Sequence, residues 1–309
     1  MTAPLGCIGL GVMGEPICRN LAAKSGREVL AFDLSPKPLQ RLHAHGVVAA
    51  ADAAEVARRA EILFLALPGG AELEAVCRGR DGVLSHARAG QTVIDLGTSP
   101  VELTRALAAE FGAKSARYAD APVARTRQAA EQGTLSVMVG ADAATFAAIR
   151  PLLACFATDI THCGAVGAGQ VVKILNNMVL FQTVAALSEA LAVARRSGVD
   201  PEVLFTALAK GSADSFALRN HGMRAMLPGE FPERAFSCEY ALKDLGYALD
   251  LAAAGGLRLA GAEVAGALLR EAVARGYGRQ YWPVLSRIVE SGADPSLTTP
   301  RLPPVDDRG

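Results

Sequence analysis

The stretch "GAGQVVKILNN", residues 167–177, has a helical pattern and is apolar nearly all round, yet it carries Lys173, Asn176 and Asn177 among Val171, Val172, Ile174, Leu175, Met178, Val179 and Leu180. A buried polar group without a partner costs about 1–3 kcal/mol, and an unpaired charge costs more. On a helix Lys173 and Asn177 are i, i+4 and share a face. Burial lowers a lysine's pKa and suits it to exchange a proton near neutral pH. An asparagine one turn on can hold a hydroxyl or carbonyl in register. Gly164, Gly167 and Gly169 precede the pair, and small residues there let another group approach closely. A lysine that merely caps or bridges remains the competing reading of this stretch.

A second cluster is "DAPVARTRQAAEQGTLSVMVG", residues 120–140, with Arg125, Thr126 and Arg127 just after a strand end. A guanidinium presents a planar fork of donors that matches a carboxylate, phosphate or sulfonate. Arg127 reads as a solvated loop residue. Arg125, at the carboxyl end of a strand, reads as a group for an anionic substrate.

The third feature is the turn Gly9-Leu10-Gly11-Val12-Met13-Gly14, a G-x-G-x-x-G pattern that follows a strand and opens a helix. Its glycines permit a tight turn and close backbone approach to a pyrophosphate, which the free N–H groups of the helix start would hold. Asp33 ends the next strand, 24 residues after Gly9. A carboxylate there accepts hydrogen bonds from ribose hydroxyls and repels a 2′-phosphate. This predicts NAD binding in preference to NADP, although Lys37 lies close by. Later strand ends, Leu67-Pro68 and Gly97-Thr98-Ser99-Pro100, line the crevice expected in such a sheet. Thr98 is the best placed of these to reach the nicotinamide ribose or the substrate.

These residues need elements to hold them. Short apolar runs at 5–11, 27–33, 61–68 and 91–97 alternate with helical patterns, which predicts a parallel sheet with helices on both faces. Strands at 116–123, 134–140 and 159–164 extend it, with a helix near 142–154. Residues 168–197 read as one long helix, and helical stretches follow at 201–210, 214–226, 238–254, 260–275 and 281–290, with no convincing strand. The expected organisation is an α/β Rossmann-like doubly wound sheet over 1–164, an all-α domain over 165–292 joined through the long helix, and a loosely ordered tail over 293–309.

The 309 residues suffice for about two domains of ~150 each. Basic and acidic residues balance at 31 each, so no electrostatic footprint for nucleic acid stands out. No apolar run reaches the ~18 residues of a membrane span, and the N-terminus lacks the pattern of a signal peptide. The six cysteines show no CxxC spacing, which predicts reduced core thiols in a cytoplasmic protein. No His/Cys/Asp cluster suggests a metal. The long helix has more apolar surface than one small helical domain buries, so a homodimer or homotetramer is expected.

Taken together, "GLGVMGEPICRNL", "DAPVARTRQAAEQGTLSVMVGA", "GAGQVVKILNN" and "ALKDLGYALDLA" resemble the β-hydroxyacid dehydrogenase family, which includes 3-hydroxyisobutyrate dehydrogenase and tartronate semialdehyde reductase. The likeness covers about residues 5–290. It implies a catalytic lysine at Lys173, a substrate-binding asparagine at Asn177, and a role for Lys243 near cofactor and substrate. Many members read DAPVSGG, where the serine and glycines hold the substrate carboxylate; here the segment is Ala124-Arg125-Thr126. The Arg-Thr pair, with "GRQYW" at 278–282, is similar to the sulfolactaldehyde reductase branch, associated also with succinic semialdehyde and 4-hydroxybutyrate. The resemblance implies an NAD(H)-dependent oxidoreductase interconverting a small anionic 3-hydroxy acid or sulfonate and its aldehyde or ketone. A β-hydroxy amino acid dehydrogenase, a decarboxylating sugar-acid enzyme, an imine reductase and a non-catalytic NAD-binding regulator are the rival readings.

Overall fold

The computed structural model describes residues 3–233 and 235–292, so the tail expected over 293–309 lies outside the described residues. Leu5–Ile8 (β1) forms the centre of the sheet because all four residues, "LGCI", are buried. A parallel strand covered on both faces needs an unbroken apolar run rather than alternation. β1 pairs in parallel with Val29–Phe32 (β2) on one side and Ile62–Leu65 (β4) on the other. Gly14–Lys24 (α1) and Pro36–His43 (α2) follow β1 and β2; the short Val48–Ala49 (β3) and Ala53–Arg59 (α3) come next. Gly70–Arg78 (α4) leads to Thr92–Asp95 (β5), and Val101–Gly112 (α5) to Arg117–Asp120 (β6), each strand parallel to its predecessor in the sheet.

Beyond β6 the sheet changes direction. Val123–Ala124 (β7), then Arg127–Gln132 (α6), then Leu135–Gly140 (β8) form an antiparallel extension, and Ala143–Leu153 (α7) and Ala157–Gly164 (β9) complete it. The strand order is β3-β2-β1-β4-β5-β6-β8-β7, with β9 on β8. Successive residues of one strand serve opposite layers. Phe64 packs with Leu5, Leu21, Ile94 and Phe156, whereas Leu63 and Leu65 pack with Leu73, Leu107 and Phe111. The α/β doubly wound sheet and the helical C-terminal part are as expected.

Ala168–Arg196 (α8) is a single 29-residue helix. By length and composition alone it could cross a membrane, as the core helix of a folded domain also could. Half of its apolar stretch is buried inside the protein, however, and it buries Gln170, Lys173, Asn177 and Ser188. Pro201–Leu208 (α9), Cys238–Ala254 (α10), Ala260–Ala272 (α11) and Leu285–Ser291 (α12) are the later α-helices. The helix expected over 214–226 is a π-helix, Leu218–Met226. Two isolated antiparallel bridges, Glu233 with Gln280 and Ser237 with Tyr281, are extended pairings the sequence did not reveal.

The described residues form two compact units: those up to Leu180 with Tyr240–Ala262, and those from Phe181 to Glu239 with those from Glu263 on. The expected boundary at Gly164 marks the end of the sheet but not the edge of the first unit. The start of α8 and most of α10 pack with the sheet. The second unit is built around Trp282, fully buried and edge-on to Phe181 at 4.8 Å between ring centroids.

The head of α8 lies hard against the sheet. A Cβ at Gly169 would fall 2.4 Å from the Met138 carbonyl oxygen and 2.8 Å from Asp120 Oδ2. Both are held by the sheet and cannot yield cheaply. Gly169→Ala is therefore expected to destabilise the protein by roughly 1–3 kcal/mol, read as a lowered midpoint in chemical denaturation. Gly246→Ala, on α10 with open space at its Cβ, is the control expected to raise the midpoint, since alanine is the better helix former.

Candidate active site

Four strand ends and two helix segments of the first unit carry the groups singled out above. The glycine turn comes first. Gly9 has φ +89°, a left-handed conformation, and a Cβ there would meet the Ala66 carbonyl oxygen at 2.5 Å. At Gly14 a Cβ would strike the Gly9 carbonyl oxygen at 2.1 Å, so helix and turn pack backbone to backbone. Gly11 instead faces open space. Among the described residues the amides of Gly11, Val12 and Met13 have no hydrogen-bond acceptor, and no side chain caps α1. Free amides beside an open, side-chain-free surface at a helix start fit a pyrophosphate.

Asp33 ties this turn to β2. Its Oδ2 accepts from Leu10 N at 2.6 Å and its Oδ1 from Ser35 N at 2.7 Å. Each oxygen keeps a further lone pair for a hydroxyl. Lys37 is exposed on the first turn of α2, and the nearby Arg41 is paired with Glu15 at 2.6 Å. Leu67 follows β4 with its side chain 3.1 Å from where a Gly9 Cβ would stand, and Pro68 is exposed.

Lys173 and Asn177 are both buried, as their shared helix face requires; Asn176 is exposed, which explains how it is tolerated. Asn177 Nδ2 donates to Asp244 Oδ2 at 2.8 Å, and Asn177 Oδ1 accepts from Asn176 Nδ2 at 3.1 Å. One N–H of the Asn177 amide is left over. Lys243 donates to Asp244 Oδ1 at 2.7 Å and to the Thr98 carbonyl at 3.3 Å, and lies 4.6 Å from the centre of the Tyr247 ring. Its stem also runs 3.1 Å from where a Gly69 Cβ would stand.

The Lys173 ammonium makes no hydrogen bond or ion pair among the described residues. Burial pushes its pKa down to about 8, with the Asp244 charge opposing the fall and that of Lys243 adding to it. Such a group is half-neutral close to physiological pH, the condition for general acid–base work.

Sequence reasoning missed Asp244, although it adjoins Lys243 in "KDLG", and missed the polar groups behind α8. Of the glycines before Lys173, Gly169 makes room for the sheet and Gly167 for α5. Asp120, fully buried, accepts from Gly167 N at 2.7 Å and Gln170 N at 2.8 Å and so caps α8 from β6. Among the described residues no set of three His, Cys, Asp or Glu side chains is placed to hold a metal ion, and the six cysteines are free thiols.

Arg125 and Thr126 depart from expectation. Arg125 Nη1 donates to the Thr134 carbonyl at 2.7 Å and Thr158 Oγ1 at 3.0 Å, and Nη2 pairs with Asp159 at 2.7 Å. None of these partners belongs to the group around Lys173. The guanidinium fork is satisfied by β8 and β9 before any substrate arrives. The Thr126 hydroxyl accepts from Ala129 N and caps α6. Ala124 closes β7, paired opposite Ser136. Arg125 also sits at φ +87°, the region glycine prefers.

The comparisons agree with this geometry. Residues 4–164 match the model of the NAD binding domain of 6-phosphogluconate dehydrogenase, and residues 167–281 that described as NAD-binding of NADP-dependent 3-hydroxyisobutyrate dehydrogenase. The chain is 35% identical to the 2-(hydroxymethyl)glutarate dehydrogenase of Eubacterium barkeri, over 93% of this chain and 94% of that one. It is 38% identical to the 3-hydroxyisobutyrate dehydrogenase of Pseudomonas aeruginosa, over 78% and 83%. The crystal structure of 3-hydroxyisobutyrate dehydrogenase from Salmonella typhimurium superposes with a TM-score of 0.83 at 28% identity, over 93% of this chain and 99% of that one. The chain belongs to the β-hydroxyacid dehydrogenase family, the NAD(P)-dependent oxidoreductases of hydroxyl groups.

Arg125→Gly would relieve a left-handed side-chain-bearing residue, worth about 1 kcal/mol, and lose an exposed ion pair worth about 0–1 kcal/mol. The expected result is a thermal midpoint within a few degrees of wild type. Preference for an anionic substrate over its uncharged analogue should also be retained, as measured by the ratio of their kcat/KM values.

Proposed function

We propose that this enzyme interconverts a small β-hydroxy carboxylate and its aldehyde or ketone with NAD(H), Lys173 exchanging the proton of the reacting hydroxyl. The observation that carries the reading is Lys173 itself: buried, without a partner, lowered to about 8, and one turn ahead of an oriented amide. A bound nicotinamide supplies the hydride acceptor or donor. Asn177 presents its remaining N–H to the reacting oxygen, because Asp244 and Asn176 fix which way the amide faces. Lys243, neutralised by Asp244, closes the cofactor side at Thr98.

For the substrate's anionic end, the backbone is the better candidate than the Arg125 guanidinium. The amides of Arg125 and Thr126 have no hydrogen-bond partner among the described residues, and the positive φ of Arg125 gives this turn the shape a glycine would give it. That favours a carboxylate held by main-chain N–H groups over a sulfonate held by a guanidinium. Both curated relatives above are named for hydroxy carboxylates, which supports the same class. A panel of β-hydroxy carboxylates, a matching hydroxy sulfonate and a semialdehyde tests the assignment; highest kcat/KM on the sulfonate would restore Arg125 as the anion group. Homo-oligomerisation is supported by exposed Val172, Leu175 and Val179 along one face of α8, and cytoplasmic placement by the six free thiols.

Oxidation needs neutral Lys173 and reduction needs the ammonium. Oxidation should therefore rise with pH through about 8, and reduction should fall through the same value. Lys173→Ala should lose roughly 10²- to 10⁴-fold in kcat while binding NADH normally in a fluorescence titration. Near-normal turnover would remove Lys173 from the chemistry.

Asp33 predicts a preference for NAD. A 2′-phosphate would face its carboxylate with Arg41 already committed to Glu15. Asp33→Ser should narrow the ratio of kcat/KM for NAD over NADP; equal use of the two by wild type would assign the compensating charge to Lys37.

A further inference from the structure

Behind α8 lies a second buried acid that the chemistry above does not use. Asp95 ends β5, fully buried and in register with Asp120 on β6. Its Oδ1 accepts from Gly97 N at 2.9 Å, and its Oδ2 from Ser99 Oγ at 2.9 Å and Gln170 Nε2 at 3.2 Å. Gln170 in turn accepts from Ser99 N at 3.0 Å and donates to the Gly97 carbonyl at 2.9 Å. Two of these bonds tie the 97–99 loop to Asp95 and two tie it to one residue of α8. That residue, Gln170, is i−3 from Lys173, on the same side of the helix. The loop carries the Thr98 carbonyl, which receives Lys243.

We propose that Asp95, acting through Ser99 and Gln170, is a positioning residue that holds the 97–99 loop and Lys173 in their working arrangement, and that it does so only as the carboxylate. The inference rests on Lys173 being the proton-exchanging group. The geometry favours the ionised form, since three donors converge on Asp95 and bonds to a carboxylate are stronger than bonds to a neutral acid. The Gly97 amide can only donate, and the Gln170 amide is oriented by its other two bonds. A proton on Oδ2 would turn the Ser99 hydroxyl round to accept and weaken the bonds from Gly97 and Gln170, and an amide nitrogen in that place would set donor against donor at Gln170 Nε2.

The charges around Asp95 come from every neighbouring element. Asp120 and Tyr118 face it from β6, Cys77 from α4 and Lys243 from α10. Burial is the largest influence and pushes Asp95 up to about 7; the Gly97 and Ser99 bonds and Lys243 lower it, and Asp120 raises it. The carboxylate is therefore half-protonated near neutral pH.

The reduction reaction separates this role from that of Lys173. With carboxylate Asp95 and ammonium Lys173 both required, kcat/KM for reduction should be bell-shaped, with an acid limb near 7 and an alkaline limb near 8. Asp95→Asn should lower kcat roughly 10- to 100-fold and abolish the acid limb while keeping the alkaline one. Lys173→Ala should abolish the alkaline limb, so failure of the Lys173 assignment shows separately. Ser99→Ala keeps the carboxylate but removes a bond to its ionised form, and should move the acid limb to higher pH. It also serves if Asp95→Asn does not fold. An acid limb unmoved in Ser99→Ala, or retained in folded Asp95→Asn, overturns the proposal.

Discussion

Two carboxylates at neighbouring strand ends, Asp95 and Asp120, hold the first turn of α8, and the catalytic arrangement hangs from that turn. An α-helix starts with N–H groups that lack intrahelical acceptors. Here the sheet supplies an acceptor for two of them, at Gly167 and Gln170, through Asp120. The glycines make the contact possible, because a side chain at Gly169 would collide with β8. Burying two acids side by side is costly, and burial raises both. Several donors converge on each, which is how the cost is met. The result is a helix whose rotation about its own axis is set by hydrogen bonds as well as by packing. Lys173 and Asn177 inherit that precision.

Charge around Lys173 is divided among three groups rather than paired off. Asp244 binds Lys243 and Asn177 directly and reaches Lys173 only through space. A direct ion pair would hold Lys173 in its protonated form. Without Asp244, burial and Lys243 would drive it lower still. The arrangement leaves Lys173 near the pH at which both protonation states are populated. It also aligns Asn177, whose amide donates to Asp244.

The turn at 124–126 shows how one conformation accommodates different residues. Arg125 adopts the left-handed backbone that glycine would adopt, and anchors it with bonds to Thr134, Thr158 and Asp159. The turn is thereby kept while its side chain serves the β8–β9 edge. A charged residue at a strand's carboxyl end is thus not in itself a ligand group; its partners decide.

The amino-acid sequence determined the architecture because the signals involved are local. Apolar runs such as "LGCI" and "ILFL" admit only buried strands, the Gly9–Gly14 turn needs its glycines for steric reasons, and the i, i+4 spacing places Lys173 with Asn177. Asp33 at the end of β2 was legible for the same reason. Tertiary structure decided what depends on side chains distant along the chain. Asp244 meets Asn177 across 67 positions and Gln170 meets Asp95 across 75. No periodicity announces such pairs, since hydrogen bonds between elements follow from strand register and helix rotation. The same holds for Arg125, whose type suggested an anion but whose neighbours from β8 and β9 had already claimed its guanidinium.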